Sequence, residues 1–271
     1  MPTAPATSLS SVGSNRIPPL ACIIILRNRS GVANIRGVLT LESFAEVKQQ
    51  FKTAIQSILD AHTSYEIDEA ALPAYAHKNP LIDYIFWRRV RIAYDYAITN
   101  RVSSVLDFGC GTGVLSSALA SAGKDVVAID LNIGPLTLVR EKISFPESIR
   151  FIEGDLLTQD LGTRKFDLIV ALDVLEHITD LGPYIEKFAS LLTPNGAILV
   201  SGPSENLLYK VGRQFAGKRF TGDYHVSNIK TIRNDFSRHM VTDTIGTLIW
   251  PLTLFEIFVA RRAPSNKQRS S

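Results

Sequence analysis

The chain has 271 residues, of which 45% are hydrophobic and 20% are charged, a globular composition that excludes an intrinsically disordered protein. Its two cysteines, Cys22 and Cys110, are too few for a disulfide framework and favour a reducing compartment. The net charge of +3 comes from residues 1–41 and 261–271, which hold eight basic residues and no acidic one, so the body is net negative and we expect no nucleic-acid-binding surface.

The first forty residues are predicted to contribute little ordered structure. Residues 1–19 are rich in Ser, Thr and Pro, and the apolar run at 20–26 is much shorter than the ~20 residues that span a bilayer. Because residues 1–40 carry arginines and no acid, their composition also resembles an organelle transit peptide. We prefer a disordered or weakly structured extension, and we expect a cytoplasmic protein with at most peripheral membrane contact.

Residues 41–100 are predicted to form a helical extension ahead of the first strand. Apolar residues recur at spacings of three and four over 41–61, and a second helical pattern covers 81–99. The region is rich in aromatic residues, which we interpret mainly as core residues, with a wall of a substrate pocket as the alternative. These aromatic residues are Tyr75, Tyr84, Phe86, Trp87 and Tyr94.

From Ser103 onwards, short apolar strands alternate with helical patterns, which is typical of a parallel sheet. The predicted strands are 105–108, 125–130, 149–153, 166–172 and 197–201, with helices at 114–122, 135–143, 182–192 and 227–239. Residues 241–250 and 254–260 follow as an antiparallel pair, because Pro251 indicates a turn between them. The predicted fold class is α/β, with a mostly parallel sheet that ends in a hairpin.

The first strand ends in a glycine-rich turn, Asp107-Phe108-Gly109-Cys110-Gly111-Thr112-Gly113. Glycine permits positive φ and lets a ligand approach the backbone, and the helix that follows offers free N–H groups. A dinucleotide-binding loop has the spacing G-x-G-x-x-G, but the third glycine here falls one position early, at Gly113. The loop predicts a nucleotide-like ligand without identifying it, and we interpret Cys110 as a small residue packing beneath that ligand.

Four acidic residues stand at or just after the ends of the first four predicted strands: Asp107, Asp130, Asp155 and Asp173. Because the carboxyl ends of strands in an open α/β sheet converge on one crevice, we expect these carboxylates to share it. An acidic crevice suits a cationic ligand. A phosphate-bearing dinucleotide would prefer basic residues there, and the loop has no P-loop lysine.

Five segments extend this pattern: Leu-Asp-Phe-Gly-Cys-Gly-Thr-Gly, Ala-Ile-Asp-Leu, Glu-Gly-Asp-Leu, Asp-Val-Leu-Glu-His-Ile and Leu-Leu-Thr-Pro-Asn-Gly-Ala-Ile-Leu-Val. In this order they resemble the motifs of class I S-adenosylmethionine (SAM)-dependent methyltransferases, in the branch that contains methyltransferase type 11 and ubiquinone-biosynthesis-type O-methyltransferases. The resemblance covers 102–203 specifically and the chain to 262 more loosely. It implies a Rossmann-like seven-stranded sheet flanked by helices, with an N-terminal helical extension over the pockets. It also implies a methyltransferase domain at 101–262, a lid insertion at 203–226 and a disordered tail at 263–271.

The resemblance implies SAM as the cofactor and a role for three of the four acids. Asp107 faces the methionine ammonium, beside the glycine backbone. Asp130 accepts hydrogen bonds from the ribose hydroxyls. Asp155 accepts a hydrogen bond from the adenine amino group, while Leu131 and Leu156 pack on the two faces of the adenine ring. The residues expected to bind SAM are Asp107, Gly109, Cys110, Gly111, Gly113, Asp130, Leu131, Asp155, Leu156 and Asp173.

A general base is needed only where the methyl acceptor must lose a proton. His177 and His225 are the candidate catalytic residues, and a hydrogen-bonded structural histidine is the alternative interpretation of each. Asp173, Glu176 and His177 match no standard zinc spacing, so we expect no metal.

Residues 203–225 combine an apolar stripe with basic side chains, which predicts either a basic amphipathic lid or an ordinary solvated helix. A lid of this kind favours a small-molecule or lipid-like acceptor, methylated at oxygen, with peripheral membrane contact through 203–220. A SAM-binding regulatory protein and an NAD(P)-dependent oxidoreductase are the alternative functions. Methylation of nucleic-acid bases is disfavoured, because no Asn/Asp-Pro-Pro-Tyr/Phe motif follows the fourth strand.

Overall fold

The computed structural model describes residues 43–61, 72–76, 79–204, 227–248 and 255–263. Within them, one sheet is built from β1 (Ser104–Phe108), β2 (Asp125–Asp130), β3 (Ile149–Glu153), β4 (Phe166–Leu172), β5 (Leu192–Pro203), β6 (Val241–Leu248) and β7 (Phe255–Arg261). The strand order is β3-β2-β1-β4-β5-β7-β6. The strands β1 to β5 pair in parallel, and β7 is antiparallel to β5 and β6. This order confirms the predicted α/β class and its terminal antiparallel pair.

The centre of the sheet is buried on both faces, which explains why its strands have continuous apolar sequences. Leu106 of β1 pairs with Val127 on one side and Ile169 on the other, and all three are fully buried. Successive side chains point to opposite faces, so Val105 joins one apolar cluster and Leu106 joins the other. The polar residues that end these strands therefore stand at the rim of a rigid core.

Helices supply the covering residues of both clusters. In the described ranges they are α1 (Phe44–Ala61), α2 (Leu72–Tyr75), α3 (Pro80–Thr99), α4 (Val114–Ser121), α5 (Gly134–Arg140), α6 (Gly182–Leu191) and α7 (Ile229–Ser237). The helices α1 to α5 contribute to the cluster that contains Val105, and α6 and α7 contribute to the cluster that contains Leu106. None of these helices has the length and apolar character needed to cross a membrane.

The first described helix has the buried face that its periodicity predicts. It begins after Ser43, whose N–H donates to Glu46 Oε2 at 2.6 Å while the Glu46 N–H donates back to Ser43 Oγ at 3.3 Å. This reciprocal capping pair satisfies two donors at the helix end. The buried residues of α1 are Phe44, Val47, Phe51, Ala54, Ile55 and Ile58.

The aromatic residues of the N-terminal region do not all pack in the core. Trp87 is buried and its Nε1 donates to the Tyr75 carbonyl at 3.1 Å, as expected of a core aromatic residue. Tyr84 is exposed, so the prediction of core packing is wrong for this residue.

The fifth strand is longer than predicted. We predicted that Pro194-Asn195-Gly196 would close the preceding helix, but these residues lie inside β5. The pairing with β4 moves from Phe166–Leu192 directly to Leu168–Ala197, so the residues between them form a bulge. A bulge accommodates the proline because it removes the need for a ladder hydrogen bond there.

Candidate functional site

The glycine-rich turn between β1 and α4 places each glycine at positive φ, with values of 72° for Gly109, 53° for Gly111 and 77° for Gly113. A Cβ on Gly109 would lie 2.6 Å from Val174 Cγ2, and a Cβ on Gly113 would lie 2.9 Å from Phe145 Cε1. At the corresponding position of Gly111, no atom of the described residues lies within 4 Å. Two glycines are thus required by packing within the protein, and Gly111 leaves open space over the backbone.

Asp130 fixes this loop to the end of β2. The Gly111 N–H donates to Asp130 Oδ2 at 2.8 Å, and the Asn132 N–H donates to Oδ1 at 3.1 Å. Each carboxylate oxygen has a second lone pair, so Asp130 can hold the loop and still accept from a ligand hydroxyl. The half-buried position of Asp130 keeps this capacity within reach of a ligand in the crevice.

Asp107 is a buried carboxylate at the end of β1, with 3% of its surface exposed. The Ser116 hydroxyl, from α4, donates to Asp107 Oδ2 at 2.6 Å. Burial raises the pKa of Asp107 to about 6, the Ser116 hydrogen bond opposes this rise, and the Asp130 charge adds to it. A cationic ligand would therefore stabilise the charged form of Asp107.

Burial also raises the pKa of the Cys110 thiol, and the charges of Asp107 and Asp130 raise it further. These neighbours disfavour a thiolate nucleophile, so the interpretation of Cys110 as a packing residue is retained.

The residues that we predicted to bind adenine differ in how accessible they are to a ligand. Asp155 Oδ1 accepts from the Leu157 N–H at 2.9 Å and from the Tyr184 hydroxyl at 3.0 Å. Leu131 is 72% exposed, whereas Leu156 is fully buried in the core. Leu131 can cover a ring in this conformation, but Leu156 has no exposed surface to do so, and its role stays a prediction.

Asp173 stands in a left-handed conformation at the end of β4, with φ of 54°. A non-glycine residue in this region is strained, and its neighbours must hold it there. The Asp173 N–H donates to the Ser201 carbonyl at 3.1 Å, and Asp173 Oδ1 accepts from the Ser201 hydroxyl at 2.9 Å. Oδ2 forms an ion pair with Arg89, so Asp173 joins α3 to the sheet.

Arg89 is a buried cation, with 3% exposure, that sequence patterns did not single out as a site residue. Its Cζ lies 4.1 Å from the ring centroid of Phe86 and 4.6 Å from that of Phe255, an arrangement that favours a guanidinium. Arg89 is four residues from both Ile85 and Ala93, which are buried on α3. A basic residue on the buried face of a helix was the signal that could have identified it.

We call Asp173–His177 the acidic turn; it contains a 3₁₀ helix at Leu175–His177. Glu176 has 1% of its surface exposed, and burial raises its pKa to about 7, while a backbone hydrogen bond and the Arg89 charge act in the opposite direction. His177, which we predicted as a candidate base, is exposed. His225, the other candidate, lies outside the described residues, as do 205–226 of the predicted lid.

The N-terminal helices reach this site through Tyr75 as well as Arg89. Burial raises the pKa of the Tyr75 hydroxyl, the Arg89 charge lowers it and the Asp107 charge raises it. Tyr75 is thus a neutral hydrogen-bond donor within the electrostatic reach of both charged residues. Among the described residues, no three His, Cys, Asp or Glu side chains are grouped so that they could hold a metal ion.

The site fits the predicted cofactor. SAM carries an ammonium group and a sulfonium group, and the carboxylates at the strand ends can offset these charges. Its carboxylate matches a buried guanidinium such as Arg89. The open space at Gly111 allows a ligand to lie close to the backbone. The structure thus brings Asp107, Asp130 and the glycine loop together, while Asp173 is already paired with Arg89.

Comparisons with known proteins agree with this arrangement. A family model described as "Methyltransferase domain" matches residues 80–242. The chain is 32% identical to the ubiquinone biosynthesis O-methyltransferase of Azorhizobium caulinodans over 36% of this chain and 39% of that protein. It is 35% identical to the protein of the same name from Histophilus somni over 36% of this chain and 43% of that protein. The chain therefore spans less than half the length of these curated relatives.

A solved structure supports the fold. The magnesium protoporphyrin IX methyltransferase of Synechocystis PCC 6803, crystallised with bound SAM, aligns with a TM-score of 0.51 at 21% identity. The alignment covers 68% of this chain and 85% of that protein. At this identity the likeness shows a shared fold.

Proposed function

This chain belongs to the methyltransferase domain family, whose model matches residues 80–242, and from that membership we propose that it transfers the methyl group of SAM to an oxygen atom of a small-molecule or lipid-like acceptor. The family match supports SAM as the cofactor. The observation that carries the proposal is the buried Asp107 carboxylate beside the glycine loop. Burial disfavours its charge, and a bound cation offsets that cost.

We assign the other cofactor contacts by charge complementarity. Asp107 would bind the ammonium group of the methionine moiety. The positively charged Arg89 would bind the carboxylate of the same moiety. Asp130 would accept the ribose hydroxyls with the lone pairs that the loop leaves available. Asp155 would accept from the adenine amino group, and Leu131 would cover the ring.

When bound, SAM supplies a methyl group on a positively charged sulfur that is itself the leaving group. The residues of this chain then have to hold the acceptor oxygen in line with that methyl group. Alignment of this kind can supply about 7–11 kcal/mol of the barrier. The strand ends are held by the core, and Asp173 is held in its left-handed conformation by the hydrogen bond from Ser201. Fixed groups of this kind suit such positioning.

Two observations support the proposed class of methyl acceptor. The two curated relatives reported above are named O-methyltransferases, which favours oxygen as the acceptor atom. The basic composition of residues 203–220 favours an anionic or lipid-like acceptor and peripheral membrane contact.

Cofactor binding tests the first part of the proposal. We expect SAM to raise the melting temperature of the purified chain, with NAD⁺ and NADP⁺ giving no shift at equal concentration. Asp130→Ala should lose the SAM shift while the far-UV circular dichroism stays unchanged, because the ribose acceptor and the loop contact are lost together. A shift with NAD⁺ and none with SAM would favour the oxidoreductase alternative.

Turnover separates an enzyme from a SAM-binding regulator. Purified protein with methyl-labelled SAM is incubated with cell extract that has been divided into lipid, small-molecule and polymer fractions. We expect label to enter the lipid or small-molecule fraction and to be found there as a methyl ether. Label confined to the polymer fraction, or SAM binding without any transfer, would contradict the proposed function.

A further inference from the structure

Asp155, the proposed acceptor of the adenine amino group, is joined to the glycine loop through Asp130. The Gly111 N–H donates to Asp130 Oδ2 at 2.8 Å, and the Gly154 N–H donates to the Asp130 carbonyl, also at 2.8 Å. The two hydrogen bonds connect the ends of β1, β2 and β3. Asp155 directly follows Gly154, so it stands at the same edge of the sheet as the glycine loop, where ligands bind in open α/β sheets.

The Asp155 carboxylate is held through one of its two oxygens. Oδ1 accepts from the Leu157 N–H at 2.9 Å and from the Tyr184 hydroxyl at 3.0 Å. Within the described ranges, both side-chain hydrogen bonds of Asp155 are made by this oxygen. A carboxylate oxygen has two lone pairs, so Oδ1 is fully engaged and Oδ2 keeps its capacity to accept from a ligand. Asp155 is half-buried, which leaves that capacity accessible.

Tyr184, on α6, carries its hydroxyl on a ring that is packed beside the glycine loop. Its ring centroid lies 5.6 Å from that of Phe108 and 6.4 Å from that of Phe188. Phe108 ends β1 and directly precedes Gly109. Burial raises the pKa of the Tyr184 hydroxyl, and the hydrogen bond and charge of Asp155 raise it further, so the hydroxyl stays protonated and donates.

The two donors on Asp155 Oδ1 differ in what they can fix. Leu157 is two residues further along the same loop, so its N–H forms a local turn that moves with Asp155. Tyr184 is 29 residues away in sequence and belongs to a helix that packs on the core. The Tyr184 hydroxyl is therefore the contact that fixes the carboxylate relative to the sheet.

We propose that Tyr184 is a positioning residue for the cofactor base: its hydroxyl holds Asp155 Oδ1 and thereby directs Oδ2 to the amino group of the adenine. The inference rests on the proposed SAM-dependent function. A fixed carboxylate accepts from a purine amino group and repels an oxygen at the same position. Tyr184 thus contributes to the selection of adenine over a deaminated base, without touching the base itself.

The test compares two ligands on the full chain by calorimetry. They are S-adenosylhomocysteine and S-inosylhomocysteine, which carries an oxygen in place of the purine amino group. The wild type should bind the adenosyl ligand at least about tenfold more tightly, the effect of one hydrogen bond to a charged group. Tyr184→Phe keeps the ring and should reduce this ratio of affinities by about threefold or more, with unchanged far-UV circular dichroism.

Tyr96→Phe is the matched control. Tyr96 is also half-buried, and its hydroxyl accepts from Arg261 at 2.9 Å, so this variant likewise removes a tyrosine hydroxyl that is bonded to a charged side chain. It should keep the wild-type ratio. Asp155→Asn should reduce the ratio, and adding Tyr184→Phe to it should change the ratio no further, because the carboxylate that Tyr184 orients is gone.

A purely structural hydrogen bond would lower the affinity for both ligands by the same factor. A Tyr184→Phe variant that keeps the wild-type ratio would therefore overturn the inference, whether or not its affinities fall. Equal affinity of the wild type for the two ligands would also overturn it. The ratio for Asp155→Asn decides the matter even if Tyr184→Phe does not fold, since a wild-type ratio would leave Tyr184 nothing to orient. A wild type that binds neither ligand would instead contradict the proposed SAM-dependent function.

Discussion

The Asp107 carboxylate has an electrostatic cost that a cationic ligand can remove. It is buried, its pKa is raised to about 6 by burial, and the hydroxyl of Ser116 compensates only part of the lost hydration. A residue kept in such a place lowers the stability of the free protein and raises its affinity for a cation. Function and stability therefore act against each other at this position.

The conservative substitution Asp107→Asn separates these two effects. The amide keeps a hydrogen-bond acceptor for Ser116 but carries no charge, so we expect SAM affinity to fall by at least tenfold while the free protein becomes more stable by about 1–3 kcal/mol. Calorimetry and urea unfolding measure the two quantities. Ser121, at the end of α4, offers a control as Ser121→Ala, which changes a polar side chain of the same helix away from Asp107. Equal SAM affinity for Asp107→Asn and wild type would contradict the assignment of Asp107 to the ammonium.

The glycine turn and the acidic turn are two elements that depend on each other's shape. Gly109 and Val174 are in direct contact, so a side chain at Gly109 would displace the turn that contains Asp173 and Glu176. A left-handed residue other than glycine already costs about 1–2 kcal/mol, and the overlap with Val174 adds to it.

Gly109→Ala should therefore destabilise the protein more than Gly123→Ala. Gly123 has φ of 77° and Gly109 has φ of 72°, but in the part of the chain that the structure describes no atom lies within 4 Å of the position of a Cβ on Gly123. The difference between their free energies of unfolding in urea isolates the overlap, and we expect about 1–3 kcal/mol. Adding Val174→Ala to Gly109→Ala should recover part of this difference. Equal losses for the two glycine variants would show that the turn moves aside freely.

For the whole molecule, the two raised carboxyl pKa values imply a pH-dependent stability. The folded forms of Asp107 and Glu176 hold protons up to pH about 6 and about 7, whereas unfolded carboxyl groups lose theirs near pH 4. The folded state therefore binds more protons between these values, and stability falls as pH rises through the window.

Comparison with the Asp107→Asn/Glu176→Gln double variant isolates this contribution. The variant should match the wild type at pH ~4 and exceed it by a few kcal/mol above pH ~7, where the cost is fully present. Urea unfolding at intervals of one pH unit measures the difference in cofactor-free protein. A constant difference across the range would mean that these two groups do not titrate as their burial implies.

Local patterns predict most of the strands and helices and the position of the candidate cofactor loop. The glycines and the acids that follow the strands are set by neighbours in sequence, so the loop, Asp107 and Asp130 can be predicted as candidate cofactor residues from the sequence alone. Arg89 was not, because its burial depends on α3 lying against Phe255 of β7, far along the chain. The burial of Leu156 and the bulge in β5 likewise depend on packing between distant elements, which periodicity does not contain.

The position of β7 between β5 and β6 has a consequence for synthesis on the ribosome. The strand β6 is made before β7, yet among the described strands it pairs only with β7. A nascent chain that has emerged only as far as Leu248 thus has no template on which to add β6, and the long strand β5 remains an open edge. The same strand brings Phe255 to Arg89, so we infer that the binding crevice is completed only once β7 has emerged, not when its own loops have emerged.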